Sequence, residues 1–147
     1  MNATSPWLGS WLFWALLSAA FAALTAIFAK VGVANINSDL ATFIRTLVVV
    51  AALGLLLAAT GQFQAPGSIS GRSYLFLLLS GLGTGASWLC YFRALKLGEA
   101  AKVAPIDKLS VVLVAVFGVV FLGEKLSAPN WLGIALIAVG AILVAWR

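Results

Sequence analysis

Apolar residues fill nearly all of this chain in five stretches, at residues 11–29, 40–60, 74–95, 103–122 and 131–146, parted by short polar interludes. An α-helix rises about 1.5 Å per residue, so about 20 mostly apolar residues cross a hydrocarbon core of about 30 Å. Each stretch is close to that length. The pattern therefore predicts an all-α, polytopic membrane protein with five transmembrane helices, and the odd number puts the two termini on opposite faces of the bilayer. The interludes at 32–39 and 61–73 carry the Gly, Asn, Ser and Pro of connectors. The link at 98–101 is so short that the third and fourth helices must be antiparallel neighbours. Pro105 is expected at the start of the fourth helix and Pro129 just ahead of the fifth, where a missing N–H is harmless.

Composition agrees. The chain is 63% hydrophobic and 9% charged, against roughly 25% charged for a soluble domain. One membrane domain over residues 1–147 is expected, with no room for an extramembrane domain. The net charge of +5 does not point to nucleic acid, because the basic residues stand singly near the ends of apolar runs and read as topology signals. The first run has no basic segment before it and is too long for the apolar region of a signal peptide. With Trp7, Trp11 and Trp14 suiting an interfacial belt, it is expected to stay as helix one. The lone cysteine, Cys90, excludes a disulfide framework and is expected to be a small buried residue on helix three.

Missing chemistry narrows the function. There is no histidine, and the carboxylates are Asp39, Glu99, Asp107 and Glu124. No metal-ligand cluster, nucleophile–base pair or phosphate-cradling glycine loop can be assembled from these residues. Neither enzymatic activity, a metal nor a cofactor is expected. Passage of a solute, binding or scaffolding remains.

Charge also orients the chain. With face A holding the N-terminus, face B collects Lys30, Lys96, Lys102 and Arg147, plus Arg45, Arg93 and Lys108 just inside helix ends, while face A has Arg72 and Lys125. Basic residues stay on the cytoplasmic side of short loops, so the N-terminus is expected outside and the C-terminus in the cytoplasm. Small residues mark faces where helices can approach closely. Gly81 and Gly85 on helix three could serve either the chain's own packing or a seam between subunits. Gly133 and Gly140 on the terminal helix are expected at a subunit seam.

Two segments carry a family resemblance. Tyr91-Phe-Arg-Ala-Leu-Lys-Leu-Gly-Glu-Ala-Ala-Lys-Val-Ala-Pro105 resembles the junction of helices three and four in EamA-type domains of the drug/metabolite transporter superfamily. Gly118-Val-Val-Phe-Leu-Gly-Glu-Lys-Leu126, followed by Asn130-Trp-Leu-Gly133 and Gly140, is similar to the C-terminal signature of those domains. The resemblance covers residues 11–146 and implies half of a ten-helix inverted-repeat transporter fold. Small multidrug-resistance relatives carry a glutamate inside helix one for proton coupling, but helix one here has no ionisable group. Facilitated exchange or export of small metabolites is the expectation instead. Glu124 is expected at the mouth of the last helix, where a carboxylate complements the helix dipole.

The leading reading is a small secondary transporter or permease subunit in the bacterial inner membrane, with its path between two five-helix units. The expected partner is a second copy, as an antiparallel homodimer with the last helix at the seam; the alternative to transport is a non-transporting membrane scaffold or accessory subunit. A cavity for a small-molecule substrate should combine aromatic surface with hydroxyls. Trp14, Ser18, Phe21 and Thr25 on helix one, and Thr84, Trp88 and Tyr91 on helix three, are the candidates at helical spacing. A charge cluster of Arg45, Arg93, Asp107 and Lys108 lies about one turn inside face B, either as interfacial anchors or as a gate. As a gate, Asp107 is expected to bridge to Arg45 or Arg93.

Overall fold

The computed structural model describes residues 10–146, so Trp7 and Arg147 lie outside the described residues. It is helical throughout, with no strand among those residues. The helices are α1 (Trp11–Gly32), α2 (Ser38–Thr60), α3 (Gly71–Leu97), α4 (Ala100–Asp107), α5 (Ser110–Leu122) and α6 (Ala128–Ala145). Five spans are long and apolar enough to cross a membrane, with α4 and α5 together forming the fourth, Ala100–Leu122.

Local chemistry sets the ends. The Asn37 side chain accepts the N–H groups of Asp39 and Leu40, at 2.8 and 3.2 Å, and so starts α2 two residues earlier than the apolar run suggests. Gly61 closes α2 at φ +64°, a left-handed conformation that glycine adopts without a Cβ clash, while the N–H of Gln62 reaches the carbonyl of Leu57 at 3.1 Å. Ser70 caps α3 through the N–H of Ser73 at 3.1 Å. Inside α2, the hydroxyls of Thr42 and Thr46 donate to the carbonyls four residues back, leaving no unpaired polar hydrogen in an apolar setting.

The fourth span departs from expectation. Pro105 lies inside α4 rather than at its start, because the helix begins at Ala100 with Glu99 as its cap. Proline has no N–H to give the carbonyl one turn back and crowds that turn. The backbone then tightens: Lys108 donates to Pro105 and Leu109 to Ile106, at 3.1 and 3.0 Å, and the span divides between Asp107 and Ser110. The apolar run is continuous across this break, so hydropathy does not reveal it.

α3 is the hub, touching α1, α2 and α4, while α6 lies along α4 and α5. The core is small and sits towards face B, where Ala29, Val33, Ala41, Phe92 and Leu95 are buried together with Tyr91, Ala100 and Val103 packed on them. Polar ties reinforce it. The ammonium of Lys30, at the end of α1, donates to the carbonyls of Leu95 and Gly98 at 2.6 and 2.7 Å, satisfying the C-terminal end of α3. Lys96 donates to the carbonyl of Ile36 at 2.5 Å. Towards face A, by contrast, α1, α2 and α3 present Leu, Phe and Trp outward, as an apolar solvent permits.

Candidate functional site

Four elements converge on one cleft of about 180 Å³, lined by Ala22 and Thr25 of α1, Arg45 of α2, Ser87, Trp88 and Tyr91 of α3, Asp107 of α4, and Lys108. Helix geometry puts these groups at a common depth. Thr25 lies seven residues before the end of α1, Arg45 seven after the start of α2 and Asp107 seven after the start of α4, each about 10 Å along its axis. Arg45 is thus about two turns in, deeper than its place in the apolar run implies, because α2 begins at Ser38. Snorkelling to the headgroups is correspondingly harder.

Arg45 is half-buried and held by aromatic faces. Its guanidinium carbon lies 3.8 Å from the centroid of Trp88 and 5.6 Å from that of Phe92. A ring face attracts a cation through its quadrupole, an attraction that strengthens where water is scarce. Among the described residues no carboxylate comes within ion-pair reach of Arg45. The cleft therefore offers one guanidinium whose charge is not matched by a protein anion. Asp107 and Lys108, 3.1 Å apart, match each other.

The expected bridge from Asp107 to Arg45 or Arg93 is not formed. Arg93 turns instead to Asp39 across the α2–α3 contact, with Nε to Oδ1 at 3.0 Å and a terminal nitrogen to Oδ2 at 2.7 Å, a two-pronged geometry suited to guanidinium and carboxylate. The reason is the longer α2. Asp39 falls within its first turn, where it faces Arg93 across the helix contact. Arg93, four residues from the end of α3, is shallower than the cleft and does not line it.

Of the candidate binding residues, Thr25, Trp88 and Tyr91 come together in the cleft. Trp14, Ser18, Phe21 and Thr84 do not line it: they are exposed further towards face A, where Thr84 donates to its own helix at the carbonyl of Ser80, 2.9 Å away. Sequence spacing passed over Ser87 and Phe92, although both are in register, four residues before Tyr91 and four after Trp88.

Two apolar cavities adjoin the cleft. One, of about 360 Å³, runs between α1 and α2 over Phe92 and shares Thr25 and Arg45 with it. The other, of about 410 Å³, lies between α3, α4 and Ala145 and shares Ser87, Tyr91 and Asp107. Cys90 lines this second cavity and is exposed, contrary to the expectation of burial, because the cavity holds α4 and α6 off that side of α3. Glu124 also sits differently from expectation. Its N–H bonds the carbonyl of Gly118 at 3.0 Å and its carboxylate folds back over Gly118 at the end of α5, where a Cβ would collide with it.

Comparison with known proteins places this arrangement. The family model described as the EamA-like transporter family matches residues 9–146. A curated relative from Sinorhizobium sp., titled "Uncharacterized transporter in cobO 3'region", is 71% identical over 136 residues, covering 92% of this chain and 96% of its own length. No solved structure matches.

Proposed function

Because this chain belongs to the EamA-like transporter family, we propose that it moves small organic solutes bearing an anionic group across the cell membrane, as a secondary transporter whose path runs between two five-helix units. The observation that carries this reading is Arg45. A guanidinium about 10 Å inside a spanning helix is expensive in hydrocarbon, and such groups pair or line a watered path. Here its partners are two aromatic rings, which leaves its hydrogen-bond donors available to a carboxylate, phosphate or similar anion. The neighbouring hydroxyls of Thr25 and Ser87 and the phenol of Tyr91 supply further polar contacts.

The other half of the scheme calls for a second unit. One five-helix unit leaves the cleft open on one side, and relatives with ten helices contain two such units. An antiparallel homodimer, with α6 at the seam beside Gly133 and Gly140, would restore that pairing, and neither glycine has a neighbour within 4 Å of where a Cβ would stand. The N-terminus outside and the C-terminus in the cytoplasm suits the surplus of basic residues on face B in the commoner orientation.

Flux into proteoliposomes tests the reading. A panel of labelled carboxylates and phosphates should include at least one that enters, and Arg45→Gln should slow it at least about tenfold, in line with roughly 1.5–3 kcal/mol for a hydrogen bond to a charged group. Folded protein that moves no solute of the panel would remove the proposal.

A further inference from the structure

We infer that the transported anion is amphipathic: a monoanion whose charged group sits on Arg45 and whose apolar part lies in the groove between α1 and α2. The inference rests on the reading of Arg45 given above and adds the apolar half of the ligand. Its basis is that Arg45 stands in the wall of two cavities at once. On one side is the polar cleft, and on the other a groove of about 360 Å³ whose other walls are Thr25, Phe28, Ala29, Gly32, Ile36, Ala41, Ile44 and Phe92. Apart from Thr25 and Arg45 those walls are hydrocarbon or aromatic. α1 and α2 both pack on α3 while leaving this space between themselves, so the groove has a floor in Phe92 and two sides.

Charge limits the head of the ligand. Asp107 and Lys108 neutralise each other, so the cleft presents a single unmatched positive charge, at Arg45. A monoanion balances it, and a second negative charge would have no cation of its own. Depth limits the source. Arg45 lies about 10 Å inside face B and the groove extends from it back towards face B, past Gly32 and Ile36. A bilayer lipid runs the opposite way, with its charge at the surface and its chains towards the middle. The occupant is therefore a soluble amphipathic anion rather than a lipid of the membrane.

The probes are acetate, butyrate and hexanoate, with hexylammonium as the charge control, bound to the full-length protein in lipid nanodiscs and read by thermal shift and tryptophan fluorescence. Burying a methylene favours binding by about 0.8 kcal/mol, so affinity should rise about twofold to fourfold per methylene along the carboxylate series. Hexylammonium should not bind. Gly32→Leu, at a position where a Cβ meets nothing within 4 Å, should erase the gain from butyrate to hexanoate and so flatten the rise of affinity along the series. Ile44→Phe, at an exposed position, is the second variant and should act the same way should Gly32→Leu fail to fold. Carboxylates that bind through Arg45 with affinity independent of chain length would overturn this inference and leave the proposed function standing. Equal binding of hexylammonium and hexanoate would overturn it as simple partitioning. Carboxylates that fail to bind at all would overturn this inference, and the proposed function would fall with it only if no labelled phosphate entered proteoliposomes either.

Discussion

Trp88 illustrates how one side chain does two jobs at membrane depth. Its ring faces the guanidinium of Arg45 at 3.8 Å, and its edge helps wall the cleft. Removing the ring leaves Arg45 free to turn away, so the loss falls on solute binding rather than on the core, which is built from Phe92, Leu95 and their neighbours. A cation over an aromatic face contributes roughly 0.5–2 kcal/mol. Trp88→Ala should accordingly weaken apparent affinity for the transported solute by roughly 2- to 30-fold, with an unchanged elution profile, and Trp88→Phe should recover part of the loss. Uptake kinetics equal to the parent would take Trp88 out of the site. At this scale the sequence was informative about a shared layer, but it set Arg45 too shallow, counted Arg93 in a layer that it does not line, and said nothing of direction. Thr25, Arg45, Trp88, Tyr91, Asp107 and Lys108 share a layer because rise per residue is constant along a helix. Which neighbour Arg93 faces depends on how α2 and α3 are rotated about their axes, and the choice between Asp39 and Asp107 turned on two residues at the start of α2.

Among the elements, the divided fourth span has the clearest consequence. α4 is anchored on α3, α6 and α1, whereas α5 packs chiefly along α6. Asp107 and Lys108 stand at the division and also in the cleft, so a bend there moves cleft walls. A proline in a helix interior costs about 3 kcal/mol through its missing bond and its clash with the preceding turn. Pro105→Ala should let residues 100–122 form one helix, raise thermal stability, increase hydrogen-exchange protection around Lys108, and slow transport several-fold. A variant that is more stable yet transports at the parent rate would show that the division has no part in the cycle. The five spans themselves are legible because hydropathy reports the property that a bilayer selects. The division is not, because the apolar run starts at residue 103, three residues inside the helix, which puts Pro105 in an apparent first turn.

For the molecule as a whole, exposed surface is the telling quantity. The chain exposes 11383 Å², while an ordinary folded chain of 15.3 kDa exposes about 7,100 Å². Lipid covers much of the difference, but the open side of the cleft and the space beside Gly133 and Gly140 suit a protein neighbour. If two copies pair through α6, Gly140→Leu should place a wedge in the seam, shift the purified protein towards monomer, and abolish flux without unfolding the subunit. Single cysteines at each terminus, introduced into a Cys90→Ala background because Cys90 is itself exposed, should label from both sides of intact cells in an antiparallel pair. Strictly one-sided labelling would exclude that pair and leave a parallel copy or a different chain as the second unit.

Among the described residues, a set of polar ties gathers α1, α2 and α3 at one end: Lys30 on the carbonyls of Leu95 and Gly98, Lys96 on Ile36, and Arg93 on Asp39. Towards the opposite ends these helices present mainly large apolar side chains outward. The subunit is thus stiff in one leaflet and compliant in the other, like a pair of tongs gripped at the joint. In such an object the restoring force on the free tips comes from the surrounding lipid. The thickness and lateral pressure of the leaflet on face A then become mechanical inputs to the transport cycle, and the bilayer acts as a spring on the protein.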